Sequence, residues 1–151
     1  MKNRERKNHF KASVETLLSW NIIPIINEND AVATEEIKFG DNDALSALIA
    51  IHTKAQKLII LTDVDGLYDK NPKTNPNAVK ISKLHQIKKT DISSNLKSKS
   101  TLGTGGMYTK LLAAQLAFKN NISTHLVKGD SQNILTAIFQ NKPIGTVIQK
   151  K

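Results

Sequence analysis

The chain has 151 residues and a net charge of +9 at pH 7, 39% of its residues are hydrophobic, and it has no cysteine. That is enough chain for one domain with a buried core, and it excludes disulfides, thiolate metal sites and a wholly disordered protein. No apolar run is long enough to span a membrane, and the charged start Met1–Asn8 has no apolar stretch behind it as a signal peptide would, so a cytoplasmic protein with no membrane partner is expected.

In chain order, Phe10, Val14, Leu17 and Leu18 recur at helical spacing and predict a helix over about 8–20, preceded by a charge-rich, frayed stretch of seven residues. The run Ile22–Ile26 follows as a short strand of the kind buried on both faces of a parallel sheet, although Pro24 lacks a ladder donor. Asn27–Asp30 lies at its carboxyl end, where open α/β sheets bind ligands or simply turn, and Ala31–Phe39 suits a small hairpin. Gly40–Asp43 opens a second helix to about His52, with Asp41 or Asn42 as cap; three polar residues in a row exceed what capping requires. His52 reads as a helix-end residue, and no second histidine stands at metal-ligand spacing.

Lys57–Thr62 is the clearest strand and ends in Thr62–Gly66, another polar cluster with a turn signal. Asn71–Pro76 reads as loop, Val79–Leu84 as a short strand, and the lysine-rich residues 88–100 as a mobile surface segment. Ser100–Lys110 holds three glycines in four positions. Alone, a glycine-rich turn before a helix is more often just a turn. It lacks the Ser or Thr after lysine of a Walker loop and the third glycine of a dinucleotide fingerprint. Such a segment can nevertheless present backbone N–H groups, a helix amino end and Lys110 to phosphate. Met107, Leu111, Ala114 and Phe118 give the following helix its stripe as far as Asn120–Asn121. A strand over Ile122–Val127, a helix capped by Ser131 and running to Phe139, and a strand over Gly145–Gln149 complete the chain. The alternation predicts α/β architecture, with a parallel-rich sheet sandwiched between helices.

Three polar clusters and the glycine loop, brought to one sheet edge, would combine carboxylates, amides and a phosphate cradle, which suits phosphoryl transfer. A carboxylate is a poor neighbour for phosphate unless a cation intervenes, so Asp43 reads as an organiser of lysine or metal.

Ile25–Thr34, Lys38–Asp43, Leu61–Tyr68 and Gly103–Lys110, four ordered motifs over almost the whole chain, resemble the glutamate 5-kinase family, which has the amino acid kinase fold. That resemblance implies transfer of the ATP γ-phosphoryl to the side-chain carboxylate of L-glutamate, the first step of proline biosynthesis. It implies Asp30, Asn42 and Asp41 at the glutamate site. It places Thr62 and Asp63 at the nucleotide, and Thr104, Gly105, Gly106, Met107, Tyr108, Thr109 and Lys110 on the ATP phosphates. Lys110 would stabilise the transition state and Asp43 would organise the lysines. Mg²⁺ would arrive with ATP, without dedicated protein ligands. Family members carry a segment of about a hundred residues, of domain scale, ahead of the first helix. The whole chain is accordingly expected to be the C-terminal, nucleotide-binding portion of one kinase domain. It would be impaired alone, with the N-terminal segment as a possible separate chain and a homo-oligomer as the complete form. The alternatives are a non-catalytic nucleotide-binding fragment, another kinase of the same fold such as an acetylglutamate or uridylate kinase, or a polyanion binder. The dispersed lysines and sparse aromatics make nucleic acid an unlikely partner.

Overall fold

The structure, a computed structural model, describes residues 2–27, 41–87, 106–130 and 132–151. Helix α1 (Lys2–Ser19) is followed by α2 (Asp41–His52), β1 (Lys57–Thr62), β2 (Leu67–Tyr68), β3 (Lys80–Ile81), β4 (Lys83–Leu84), α3 (Met107–Lys119), β5 (Ser123–Lys128), α4 (Ile134–Phe139) and β6 (Thr146–Ile148). Among them, no helix is long and apolar enough to cross a membrane.

The main sheet has the order β1-β5-β6-β4. β1 runs parallel to β5 from Lys57 opposite Ser123 to Thr62 opposite Lys128, β4 runs parallel to β6, and β5 pairs with β6 antiparallel. The sheet is thus parallel-rich, as expected, but β4 and β6 run opposite to β1 and β5. β2 and β3 form a separate antiparallel ribbon with Tyr68 opposite Lys80.

Alternation sends Leu58 and Ile60 of β1 and Leu126 of β5 to one face, where they join α2 and α3 in the core. The helices approach through small residues, Ala47 and Ala50 on one and Ala113, Ala114 and Ala117 on the other, all buried. Short side chains let the axes come close and let Leu111 fill the space between helix and strand.

Each of the four described helices ends the same way. Asn21, Lys54, Asn121 and Asn141 adopt positive φ, between 53° and 62°. In each case the next residue's amide reaches back five residues, as in Ala55 to the Ala50 carbonyl at 2.8 Å and Ile122 to the Ala117 carbonyl at 3.0 Å. This left-handed cap satisfies the last carbonyls and turns the chain sharply. Asparagine tolerates the conformation best after glycine, which accounts for three of the four.

Thr146 ties the ribbon to the main sheet. Its buried hydroxyl accepts from the Leu67 amide at 2.7 Å and donates to the Ile81 carbonyl at 2.6 Å. Gly66 and Gly145 flank this junction at φ 141° and 62°; a Cβ on Gly145 would stand 2.2 Å from the Leu126 carbonyl oxygen.

Four expectations are corrected. α1 begins at Lys2 rather than near residue 8, consistent with the high helix propensity of its Lys, Arg and Glu residues and with Glu5 in the first turn. Ile22–Ile26 is not a strand: it pairs with no strand among the described residues, and Ile23 and Ile25 are 87% and 97% exposed. Pro24 cannot donate, and no described strand pairs with the segment to satisfy the rest. The span Val79–Leu84 is split, one half in the ribbon and the other in the main sheet. α4 starts only at Ile134, because Asn133 at φ 58° breaks helical continuity with what precedes it. The hairpin over Ala31–Phe39, the segment 88–100 and Ser131 lie outside the described residues.

The packing yields two predictions. Thr146→Val should remove both of these bonds at a largely buried junction, at a cost of about 1–3 kcal/mol in urea unfolding. His125, on the strand face opposite Leu126, is buried with Nε2 unpartnered, and desolvation followed by the Lys57 charge lowers its pKa from the ordinary 6.5. The unfolded chain then binds the extra proton, so stability should be unaffected above pH 6.5 and fall as pH drops below it. The decline between pH 7 and 5 should be shallower in His125→Phe.

Candidate functional site

Both parallel strands are entered from a helix through a short connection, residues 53–56 before β1 and 120–122 before β5. Each helix therefore runs back along its strand, and the amino ends of α2 and α3 lie at the edge where β1 and β5 finish. That edge carries the ligand-binding position of open α/β sheets, and the sequence concentrates its polar clusters there.

On the helix side, Asp43 in the first turn of α2 faces Thr109 and Lys110 in the first turn of α3. Lys110 Nζ lies 3.2 Å from Asp43 Oδ2 and 3.5 Å from Oδ1, and the two side chains are only 14% and 16% exposed. Thr109 Oγ1 lies 2.7 Å from the same Oδ2. Residues 43 and 110 meet because the alanine-lined faces of α2 and α3 hold the helices together behind them. Gly106 stands as N-cap of α3 in extended conformation, φ −90° and ψ −177°, with no side chain capping the helix. A helix amino end whose N-cap offers no side-chain acceptor, with a lysine in its first turn, presents N–H donors and a cation that suit an oxyanion.

On the strand side, Asp63 accepts from the Thr62 hydroxyl at 3.1 Å and from Lys73 Nζ at 3.3 Å. These bonds, the threonine's first, hold its carboxyl below the usual carboxylate range. Asp65 accepts from the Tyr68 hydroxyl at 2.6 Å and from Lys80 Nζ at 3.1 Å. Its pKa is lowered, chiefly by the tyrosine bond, and the Tyr68 phenol is raised by the same contact. Lys128, at the end of β5, pairs with Asp130 at 2.9 Å, which raises its pKa. The Gly129 amide bonds the Thr62 carbonyl at 2.9 Å, joining the two strand ends.

The structure thus brings together Asp43, Gly106, Met107, Tyr108, Thr109 and Lys110 at the helix ends, and Thr62 and Asp63 at the adjoining strand end. Asn42 is exposed in the first turn of α2, and Asp41 begins that helix. Asp30, Thr104 and Gly105 lie outside the described residues. The lysines that partner Asp63 and Asp65, and the Tyr68–Asp65–Lys80 cluster, escaped the sequence reading. Lys73 and Lys80 stand ten and fifteen residues from the acids they meet, and only the ribbon pairing brings them back. The double contact of Thr109 and Lys110 on one carboxylate was likewise invisible, because residues 43 and 110 are 67 apart.

A nearly buried ion pair is costly to break from one side, since the surviving charge is left without a partner. Asp43→Asn should lower stability by about 1–3 kcal/mol in urea unfolding. The double variant Asp43→Asn/Lys110→Met should lose less than the sum of its single changes, and additivity would show that the pair carries no coupling.

The chain is 44% identical over 149 residues to a glutamate 5-kinase of Hydrogenovibrio crunogenus, covering 98% of this chain and 39% of the relative. It is 48% identical over 146 residues to a glutamate 5-kinase of Geobacillus thermodenitrificans, covering 97% and 39%. It therefore spans about two fifths of the length of the curated relatives it matches. A crystal structure of UMP kinase from Ureaplasma parvum superimposes with a TM-score of 0.62 at 21% identity, over 93% of this chain and 53% of that one. A T. acidophilum isopentenyl phosphate kinase product complex superimposes with a TM-score of 0.52 at 26% identity, over 72% and 39%. Residues 1–128 match the amino acid kinase family, and the chain belongs to that family.

Proposed function

We propose that this chain is the C-terminal, nucleotide-binding portion of a glutamate 5-kinase domain, which phosphorylates the side-chain carboxylate of L-glutamate at the expense of ATP as the first step of proline biosynthesis. The observation that carries the reading is the Asp43–Thr109–Lys110 cluster beside the uncapped amino end of α3. Its support in sequence is the similarity to glutamate 5-kinases, 44% over nearly the whole chain.

In this reading a glutamate carboxylate oxygen attacks the γ-phosphorus of ATP while the bond from that phosphorus to the β–γ bridging oxygen breaks. The products are glutamyl 5-phosphate and ADP. Negative charge moves onto the bridging oxygen, and a fixed cation at the helix amino end lowers the barrier. Lys110 supplies that cation, and Asp43 keeps it in place without touching phosphate itself. Gly106 to Lys110 receive the phosphates, together with Thr104 and Gly105. Thr62 and Asp63 stand toward the rest of the nucleotide, and Asp30, Asp41 and Asn42 toward glutamate. Among the described residues no three acidic or imidazole side chains are grouped to hold a metal. Mg²⁺ would arrive with ATP, held largely by the phosphates, and would offset their charge. The enzyme would be cytoplasmic and, when complete, a homo-oligomer.

The portion of the domain not spanned here is taken to be N-terminal and to supply a second phosphate loop and part of the glutamate pocket. The exposed Ile23 and Ile25 and the outer edge of β1, which pairs with no strand among the described residues and where Leu61 is 51% exposed, suit a sheet that is completed by that portion. The same observations favour, as a second reading, a chain that binds nucleotide without catalysing transfer.

ATP with Mg²⁺ should raise the melting temperature of the purified chain, and Lys110→Ala should reduce the rise. Glutamate-dependent turnover of the purified chain should be more than about 10²–10³-fold below that of full-length relatives, since this reading assigns a further set of preorganised donors to the portion not spanned here. Adding the N-terminal segment in trans should recover it. Recovery would exclude the non-catalytic reading, and a chain whose melting is indifferent to ATP would overturn both.

A further inference from the structure

Thr109 is named above among the residues receiving phosphate, yet its hydroxyl is already committed. Oγ1 lies 2.7 Å from Asp43 Oδ2 and 2.8 Å from the Gly106 carbonyl oxygen, and the residue is only 8% exposed. Both neighbours are acceptors, and a hydroxyl has one proton. The carboxylate, being charged, is the stronger acceptor, so the proton rests chiefly on Asp43. The Gly106 carbonyl loses little, because the amides of Thr109 and Lys110 also reach it at 3.1 and 3.4 Å.

The contact bears on Lys110. Its ammonium meets Asp43 unevenly, 3.2 Å to Oδ2 and 3.5 Å to Oδ1, and Oδ2 is the oxygen that Thr109 holds. Both oxygens are within hydrogen-bonding reach of the ammonium, and the Thr109 hydroxyl, the shorter contact, fixes the carboxylate's plane and competes with the lysine for Oδ2. Consecutive residues of α3 thus divide the work on one acid of α2: one fixes its orientation, and the other rests against it with N–H donors to spare.

We infer that Thr109 is a positioning residue and not a phosphate ligand: through Asp43 Oδ2 it holds the carboxylate against which the Lys110 ammonium rests and, by sharing that oxygen, leaves the ammonium available to an anion at the amino end of α3. The inference rests on the nucleotide-binding reading for its purpose, but not for its geometry.

The test uses the full chain with Thr109→Val, which keeps the shape and removes the hydroxyl, and Thr109→Ser, which keeps the hydroxyl. The first readout is the acylation rate of Lys110 by an N-hydroxysuccinimide ester at fixed pH, followed by mass spectrometry with Lys119 of the same helix as internal reference. Thr109→Val should slow Lys110 several-fold relative to Lys119, as the freed carboxylate closes on the ammonium, and Thr109→Ser should restore the rate. In an Asp43→Asn background Thr109→Val should add nothing. The second readout is calorimetric affinity for ATP and for adenosine. Thr109→Val should weaken ATP about tenfold, the loss of one hydrogen bond to a charged group, and leave adenosine unchanged, with serine again restoring. A Lys110 rate that is unchanged or faster in Thr109→Val, or that changes equally in the Asp43→Asn background, overturns the inference. Equal weakening of ATP and adenosine assigns Thr109 a merely structural part and overturns it too. If the unaltered chain binds no ATP, the nucleotide reading fails, and the acylation rates still decide whether Thr109 positions Lys110.

Discussion

The close contact between α2 and α3 through their buried alanines governs the rest of the molecule. Two helices that each precede a parallel strand must run antiparallel to it, and small residues at 47, 50, 113, 114 and 117 let them do so side by side. Their amino ends then fall together at the carboxyl edge of the sheet. Any bulkier pair of faces would spread those ends and pull residue 43 away from residue 110. The site is in this sense a product of the core: side chains with no polar atom set the distance across which an acid and a lysine meet.

That meeting place is poor in water, and the consequence is electrostatic. A lysine 14% exposed keeps little of its hydration shell, and the acid beside it replaces part of what was lost. The aspartate in turn receives a hydroxyl from Thr109. Two donors on one carboxylate are a modest contribution to folding, since desolvation opposes them. They matter more for orientation, because a charge that is already fixed needs no reorganisation when a substrate's charge shifts. The strand-side acids differ. Asp63 and Lys73 are mostly exposed, so their ion pair is screened and adds little to stability. Its effect is to hold the loop after β2 near the strand end.

What the sequence made legible was what depends on local pattern. The strand Lys57–Thr62 and the helices beginning at Asp41 and Met107 follow from periodicity, glycine placement and capping chemistry. The four motifs, read in order, pointed to the kinase family that the comparisons support. Pattern failed where the environment decides. Ile22–Ile26 has the composition of a buried strand, but burial requires a neighbour, and composition does not say whether one is present. β6 reads as one more strand of a parallel layer, whereas the turn at Gly145, with its positive φ and its close approach to Leu126, sends it back antiparallel. His125 is apolar in its placement and polar in its chemistry, and nothing in Thr–His–Leu–Val marks it as buried.

The same distinction separates the two halves of the site. Lys110 could be singled out from sequence because glycines announce a helix amino end, and a lysine in that first turn has an evident electrostatic use. Thr109 could not, because a threonine in a first turn ordinarily satisfies its own helix, and one of its two contacts does just that. Only the second contact, across 66 residues to Asp43, turns a capping-type hydroxyl into a constraint on a neighbouring charge. A residue's chemistry is written in its side chain; which charge it acts upon is set by the packing of helices it does not belong to, here the alanines that place α2 against α3.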